Sequence, residues 1–276
     1  MQSALLIALA LLSQGKPDPD QFPIALHRSM ELDDLDREIQ RLHDSVLVKR
    51  SQFESSQRLA GRGLLSPAEL ERDGATLRYE EAHEAETLAY RALKEYERDV
   101  IGRAVSPDEV KAYSLLLDWL KKQEAMARVD LKYRDYCLDQ ARKLFQKNAV
   151  SRQEVEDTDV SKNMAEASVA LSQSRQAQVS MELAARKGEK SYDSAEYEKL
   201  KGDYLKARIR YFEIVSKGAR NRLAFAQERS RRKLIPVEEI AIFRKAVSDA
   251  DANLAGERQK LEQAQPAPSN GSPSGH

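Results

Sequence analysis

The chain has 276 residues with 45 basic against 45 acidic side chains, so it carries no net field to gather a polyanion, and nucleic acid is excluded as an expected ligand. A third of its residues are charged, only 6% are aromatic, and Ala, Glu, Lys, Leu and Arg dominate, which is the composition of long helices and coiled coils and not of an ordinary globule. The single Cys137 excludes an intramolecular disulfide and a multi-cysteine metal site.

Residues 1–15, MQSALLIALALLSQG, hold an apolar run from Ala4 to Leu12 followed by the small residues Ser13 and Gly15. That pattern is expected of a secretory signal peptide, although no Lys or Arg precedes the run. The run is too short to span a bilayer, which takes about 20 residues. Residues 16–28 read as an extended linker, since Pro17, Pro19 and Pro23 each bias the preceding residue away from helix.

From Ser29 onward, hydrophobic periodicity predicts six helices. In the first, Leu32, Leu35, Ile39, Leu42 and Val46 alternate spacings of three and four, running to about Ala60. The second is expected from Pro67 to about Ile101. The third keeps one heptad frame through Val110, Tyr113, Leu117, Leu120, Ala127, Leu131, Leu138, Ala141 and Phe145, interrupted by Glu124 and Arg134, which are expected to pair across the interface. The fourth, from Arg152 to about Lys187, carries Val160, Met164, Ala167, Leu171, Met181 and Ala185, with Ser174 and Gln178 as polar members. Tyr197, Leu200, Tyr204, Ala207, Tyr211 and Ile214 frame the fifth, which reaches about Arg232, with a kink expected near Gly218. A sixth starts at Pro236 or Val237 and fades near Gln263. Residues 265–276 have nothing to bury and are expected to be a disordered tail.

Between helices stand five stop-and-start signals. Asn148 is suited to a left-handed helix end, and Ser151 with Glu154 forms a capping box. The same arrangement stands 85 positions earlier, at Leu65, Ser66 and Glu69, and again 85 later, where Pro236 replaces the serine between Ile235 and Glu239. The two intervening breaks have Gly102 as stop with Ser106 as cap, and Gly188 as stop with Asp193 as cap. A repeat of about 85 residues is one down-and-up hairpin. The expected fold of residues 29–264 is therefore all-α, a series of long antiparallel coiled-coil helical hairpins with no sheet. The turns at Ser66, Ser151 and Pro236 fall at one end.

No catalytic constellation emerges, and no enzyme, cofactor or metal site is expected. His27, His43, His83 and His276 are scattered, and His83 has no partner four positions on to complete a helical zinc motif, so it reads as a surface residue. Tyr197, Tyr204 and Tyr211, seven apart, read as a core stripe with hydroxyls reaching the edge. The basic cluster Arg220, Arg222, Arg229, Arg231, Arg232 and Lys233 reads as helix C-terminal charge paired with neighbouring acids.

The stretch from Ala141 to Ala167, extended by SVALSQSRQAQ, resembles the α-hairpin of HlyD-type membrane-fusion proteins, the periplasmic adaptors of efflux pumps and type I secretion systems. The resemblance rests on a leucine, a glycine or asparagine, an aliphatic pair, a serine and a glutamate three positions on, followed by regularly spaced alanine. It implies a tip that docks on a TolC-like outer-membrane channel through an arginine, a leucine four positions later and a serine seven further. Leu144 with Ser151, and Leu59 with Ser66, match the last two, whereas Gln140 and Ser55 stand at the arginine position and Arg229 and Pro236 replace the pair at the third tip. The lipoyl and β-barrel parts of the adaptors are absent, since no stretch alternates with a period of two.

The expectation is an exported, non-enzymatic structural or interaction protein of the cell envelope, adaptor-like in an efflux or secretion assembly. Its protein partners, an outer-membrane channel or envelope complex, would engage hairpin tips or helix faces, with Leu65, Ser66, Leu144, Val150, Ser151 and Ile235 as the contact residues. A small-ligand or metal-binding helical bundle, and a self-associating spacer or filament built as a homo-oligomer, are the alternatives.

Overall fold

A helix that ends in water leaves carbonyl groups without partners, and all five interhelical turns among the described residues solve that problem in the same way. At Gly63, Arg103, Asn148, Gly188 and Lys233 the backbone turns left-handed, with φ of 71°, 58°, 55°, 71° and 59°. The next amide then reaches back five residues: Leu64 N to Leu59 O, Ala149 N to Leu144 O and Leu234 N to Arg229 O, each at 2.9 Å. These residues repeat with the 85-residue period, since 63, 148 and 233 form one series and 103 and 188 the other.

This computed structural model describes residues 31–189, 191 and 193–264, and among them it has six α-helices and no strand. They are α1 (Leu32–Gly61), α2 (Pro67–Ile101), α3 (Glu109–Gln146), α4 (Arg152–Arg186), α5 (Ser194–Arg231) and α6 (Ile240–Ala264). The apolar leader, the linker, the helix start at Ser29 and the C-terminal tail lie outside the described residues. Each helix packs on its neighbours in the chain, and no other pair of helices shares more than marginal contact. The hairpins α1–α2, α3–α4 and α5–α6 therefore stand in series and do not close into a bundle.

The second helix stops at Gly102 as the sequence reading has it, Gly102 itself staying helical at φ −72° and the next residue, Arg103, taking the left-handed conformation. One cap differs from that reading: Asp108, not Ser106, caps α3, its carboxylate accepting from Lys111 N at 3.0 Å. At the third tip Pro236 offers no side chain to the first amides, and the helix opens with a short 3-10 turn at Val237–Glu239 before α6 begins.

Residues from four helices share one core: Leu35 of α1, Tyr90 and Leu93 of α2, Trp119 and Leu120 of α3, Val179 and Leu183 of α4. Full burial of a leucine such as Leu35 or Leu42 is worth about 1.5–3 kcal/mol. The Tyr90 and Trp119 rings lie 5.2 Å apart between the first and second hairpins. At the equivalent place between the second and third, Arg175 stacks on Tyr204, 5.6 Å from the ring centroid. The tyrosines Tyr197, Tyr204 and Tyr211 are half-buried, as a core-edge stripe requires. Phe145, at the end of the α3 stripe, is exposed.

At Gly218 the α5 helix continues without a break, to Arg231. The glycine is buried, and a Cβ there would stand 2.8 Å from Val160 Cγ1, so the missing side chain lets α4 and α5 come close. Gly74 serves α1 and α2 in the same way, against Phe53 at 2.9 Å.

Each hairpin also carries polar residues on its two helices at the same level. In the third, Arg208 of α5 and Glu257 of α6 are both buried, with Nε–Oε2 2.8 Å and Nη2–Oε1 2.9 Å. Displaced by 85 and 170 residues, the same positions hold Gln123 and Ser172, then Glu38 and Thr87.

Candidate functional site

The candidate site is the end of the array formed by the turns after α1, α3 and α5. Ser66 and Ser151 close capping boxes there. Ser66 Oγ accepts from Glu69 N at 3.2 Å and Glu69 Oε2 accepts from Ser66 N at 3.0 Å, while the Ser151–Glu154 pair repeats this at 3.2 and 2.7 Å. Hydrogen bonds from the Ser66 hydroxyl and amide hold the Glu69 carboxyl below its ordinary range. For Glu154 the Ser151 amide contributes first and the hydroxyl second. Both serines are exposed but committed to the turn.

The apolar residues assigned to the tips divide into two groups. Leu65, Val150 and Ile235 are half-buried, at the position before each cap, and the residues four positions after the caps are Leu70, Val155 and Ile240. Those two positions are the ones a hydrophobic staple pairs across a helix entry. Residues one place earlier, on the preceding helix, or just after Pro236 face outward: Leu64 is 70% exposed, Leu234 63%, Val237 68%, and Leu144 and Phe145 just over 40%. Sequence reasoning named Leu144 but missed Leu64 and Leu234. The signal for them was the left-handed residue just before, since the residue after it continues outward before the chain turns in.

Charge follows the same division. Residues 58–66, 142–151 and 229–237 hold two, three and four cations and no acid. At the opposite end, residues 98–108 hold two cations against two acids, and 186–193 three against two. Some tip cations meet acids on the helices behind them, Lys143 with Asp139 at 2.6 Å and Arg232 with Glu228 at 2.8 Å. These pairs are largely exposed and bind their partners weakly. Of the basic cluster near the third tip, Arg220 pairs with Asp251 at 3.0 Å and Arg222 with Asp157 at 3.3 Å, so those two fasten α5 to α6 and to α4.

Groups elsewhere with chemical potential are tied into packing. His43 meets Glu84 at 2.9 Å. His83 is half-buried, not on the surface, and burial lowers its pKa. Trp119 Nε1 donates to Glu86, and burial raises the pKa of Glu86 to about 7. Glu124 does reach across to α4, accepting from Gln173 at 3.0 Å and Gln176 at 2.6 Å, whereas Arg134 pairs within its own helix with Asp130 at 3.1 Å. Arg186 stacks on Tyr113 at 3.9 Å and bridges Glu109 at 3.1 Å, pinning α3 to α4. Among the described residues no three of His, Cys, Asp or Glu gather as a metal site, and no helix is long and apolar enough to cross a membrane.

These features define a capped helical-repeat array with one apolar, basic end. No protein family, no curated protein and no solved structure matches the chain.

Proposed function

We propose that this chain is a non-enzymatic structural and interaction protein of the cell envelope, adaptor-like in an export or efflux assembly, and that it works by presenting three hairpin tips side by side. One observation carries the reading. The three tips repeat one turn geometry at an 85-residue period, which puts their exposed apolar residues and all nine tip cations at the same end of the array. With neighbouring helices 8–10 Å apart, successive tips lie up to about 20 Å from one another. The likeness of the second hairpin to the adaptor hairpin supports the same reading, and the apolar leader supports export.

The test is sedimentation of the purified chain with washed envelope membranes, which hold both lipid and protein. Leu64, Leu144 and Leu234 are the residues to change to Asp, because all three are exposed and Leu65, Val150 and Ile235 sit at staple positions. Loss of sedimentation with unchanged helicity is expected. Equal sedimentation of the variant and the parent would refute the tips as the contact end.

A further inference from the structure

We propose that the acceptor for the tips is an anionic lipid surface. This inference rests on the tips being the contact end, and it names what they contact.

Two properties of that end coincide. The first is apolar projection. Leu64 and Leu234 occupy the same turn position 170 residues apart and are 70% and 63% exposed, Val237 beside the third tip is 68% exposed, and Leu144 and Phe145 stand at the second. Leu64 and Leu234 are exposed at turns, Leu144 and Phe145 at the end of α3 and Val237 at the start of the 3-10 turn, positions from which a leucine or phenylalanine can enter the headgroup region of a bilayer. The second property is charge. Residues 58–66, 142–151 and 229–237, the turns together with the ends of the helices that lead into them, hold nine cations and no acid, with Glu228 and Glu238 directly beside the third, in a chain whose formal net charge is zero. Arg142 and Lys143 are each 61% exposed, Arg231 78% and Arg232 69%, so pairing with acids behind them leaves the guanidinium and ammonium groups open to solvent.

Apolar residues ringed by cations fit lipid tails beneath phosphate headgroups. A protein with an acidic cleft would satisfy the charge of one tip. Three tips in the same register, spread along one end of a single row of helices, call for an acceptor that is laterally continuous, and a bilayer surface is one. The opposite end has Ile101 and Val105 exposed but no excess of cations at its first turn, so it lacks the second property. Since no described helix can cross a membrane, the contact is peripheral.

The experiment is flotation of the full chain with protein-free vesicles, either pure phosphatidylcholine or equal parts phosphatidylcholine and phosphatidylglycerol. Two variants accompany it, Leu64→Asp with Leu234→Asp, and Arg62→Gln with Lys147→Gln and Arg229→Gln, each checked for helicity by circular dichroism. All forms share the run Ala4–Leu12, so differences among them belong to the tips. Flotation is expected with the anionic vesicles only, to fall about ten-fold in either variant, and to weaken when salt shortens the screening length from about 10 Å to about 3 Å. Flotation that neither variant changes would overturn the proposal. So would absence of flotation when washed envelope membranes still bind the parent chain through its tips, which would make the acceptor a protein and leave the functional reading standing. Failure on both membranes and vesicles would remove both.

Discussion

Glu86 offers the sharpest quantitative test of the packing between the first two hairpins. Its side chain is 1% exposed, between α2 and α3, where Trp119 Nε1 donates to it. Burial penalises the charged carboxylate more than the Trp119 hydrogen bond favours it, so its pKa rises from the ordinary 4.5 to about 7. The folded state therefore holds the proton more tightly than the unfolded chain. Below about pH 4.5 both states are protonated and the contribution to stability is complete. Between 4.5 and 7 the unfolded chain ionises first and that contribution is lost, and above 7 it stays lost. Two and a half decades at about 1.4 kcal/mol each make the loss about 3 kcal/mol. Glu86→Gln keeps an oxygen for Trp119 and cannot ionise, so it matches the parent near pH 4.5 and exceeds it by about 3 kcal/mol at pH 8. Urea unfolding followed by tryptophan fluorescence reads this directly, because the chain's one tryptophan is the partner itself. All other titrating groups cancel in the difference between the two proteins. A difference that stays flat from pH 4.5 to 8 would refute the assignment of Glu86 as a buried acid.

Three further outcomes follow from geometry. Gly218→Ala lowers stability by about 1–3 kcal/mol, since its Cβ would meet Val160, whereas Gly202→Ala, with open space around it, raises stability by about 0.5–1 kcal/mol; thermal melts that rank the pair the other way would contradict the close approach of α4 and α5. Replacing Glu257 by Leu strands the buried Arg208 and costs about 3–5 kcal/mol, and Arg208→Gln with Glu257→Ser, the pair that stands at this level in the second hairpin, recovers most of it in chemical denaturation. Arg103→Gly relieves a left-handed non-glycine residue and stabilises by about 1 kcal/mol, and a loss of stability in the same assay would show that the turn does not strain it.

The repeat and its punctuation were legible because they are local. Asn148, Gly188, Asp193 and the two serine boxes act through amides within three or four residues, and the structure places each where its residue type requires. Legibility failed where a local rule met a tertiary one. The stop at Gly102 was legible, but which residue turns left-handed was not, and the 85-residue register set by Gly188 selects Arg103. Gly218 carries a helix-weakening signal in sequence, but its use is closeness to Val160, which lies 58 positions away. Glu86 sits among acids in EEAHEAE and reads as solvent-facing, and only the neighbour supplying Trp119 makes that face an interior. The central helices are covered from two sides, so no single stripe marks what they bury. At the tips, position along the turn decided exposure, and a shift of one residue separates staple-position Leu65 from projecting Leu64.

The same register shows how the outer helices differ from the inner ones. Inner helices meet the next hairpin through Val160 against Gly218, Glu86 against Trp119 and Arg175 against Tyr204. Carried forward by the repeat, one period for Val160 and Arg175 and two for Glu86, those positions on α6 become Lys245, Lys260 and Gly256, and a Cβ on Gly256 would meet nothing within 4 Å. Carried back, by one period for Trp119 and two for Gly218, they become Asp34 and Val48 on α1. Two lysines and a bare glycine cannot replace an aromatic rung, so α6 lacks the side chains by which the inner helices meet the next hairpin. Sedimentation velocity is therefore expected to show one species whose size does not grow with concentration. Lys245→Val, Gly256→Leu and Lys260→Tyr, which restore inner-helix residue types to α6, are expected to make it associate. Association of the parent chain in solution would show that these faces join copies, and would reassign α1 and α6 from ends of the array to contacts within a longer one.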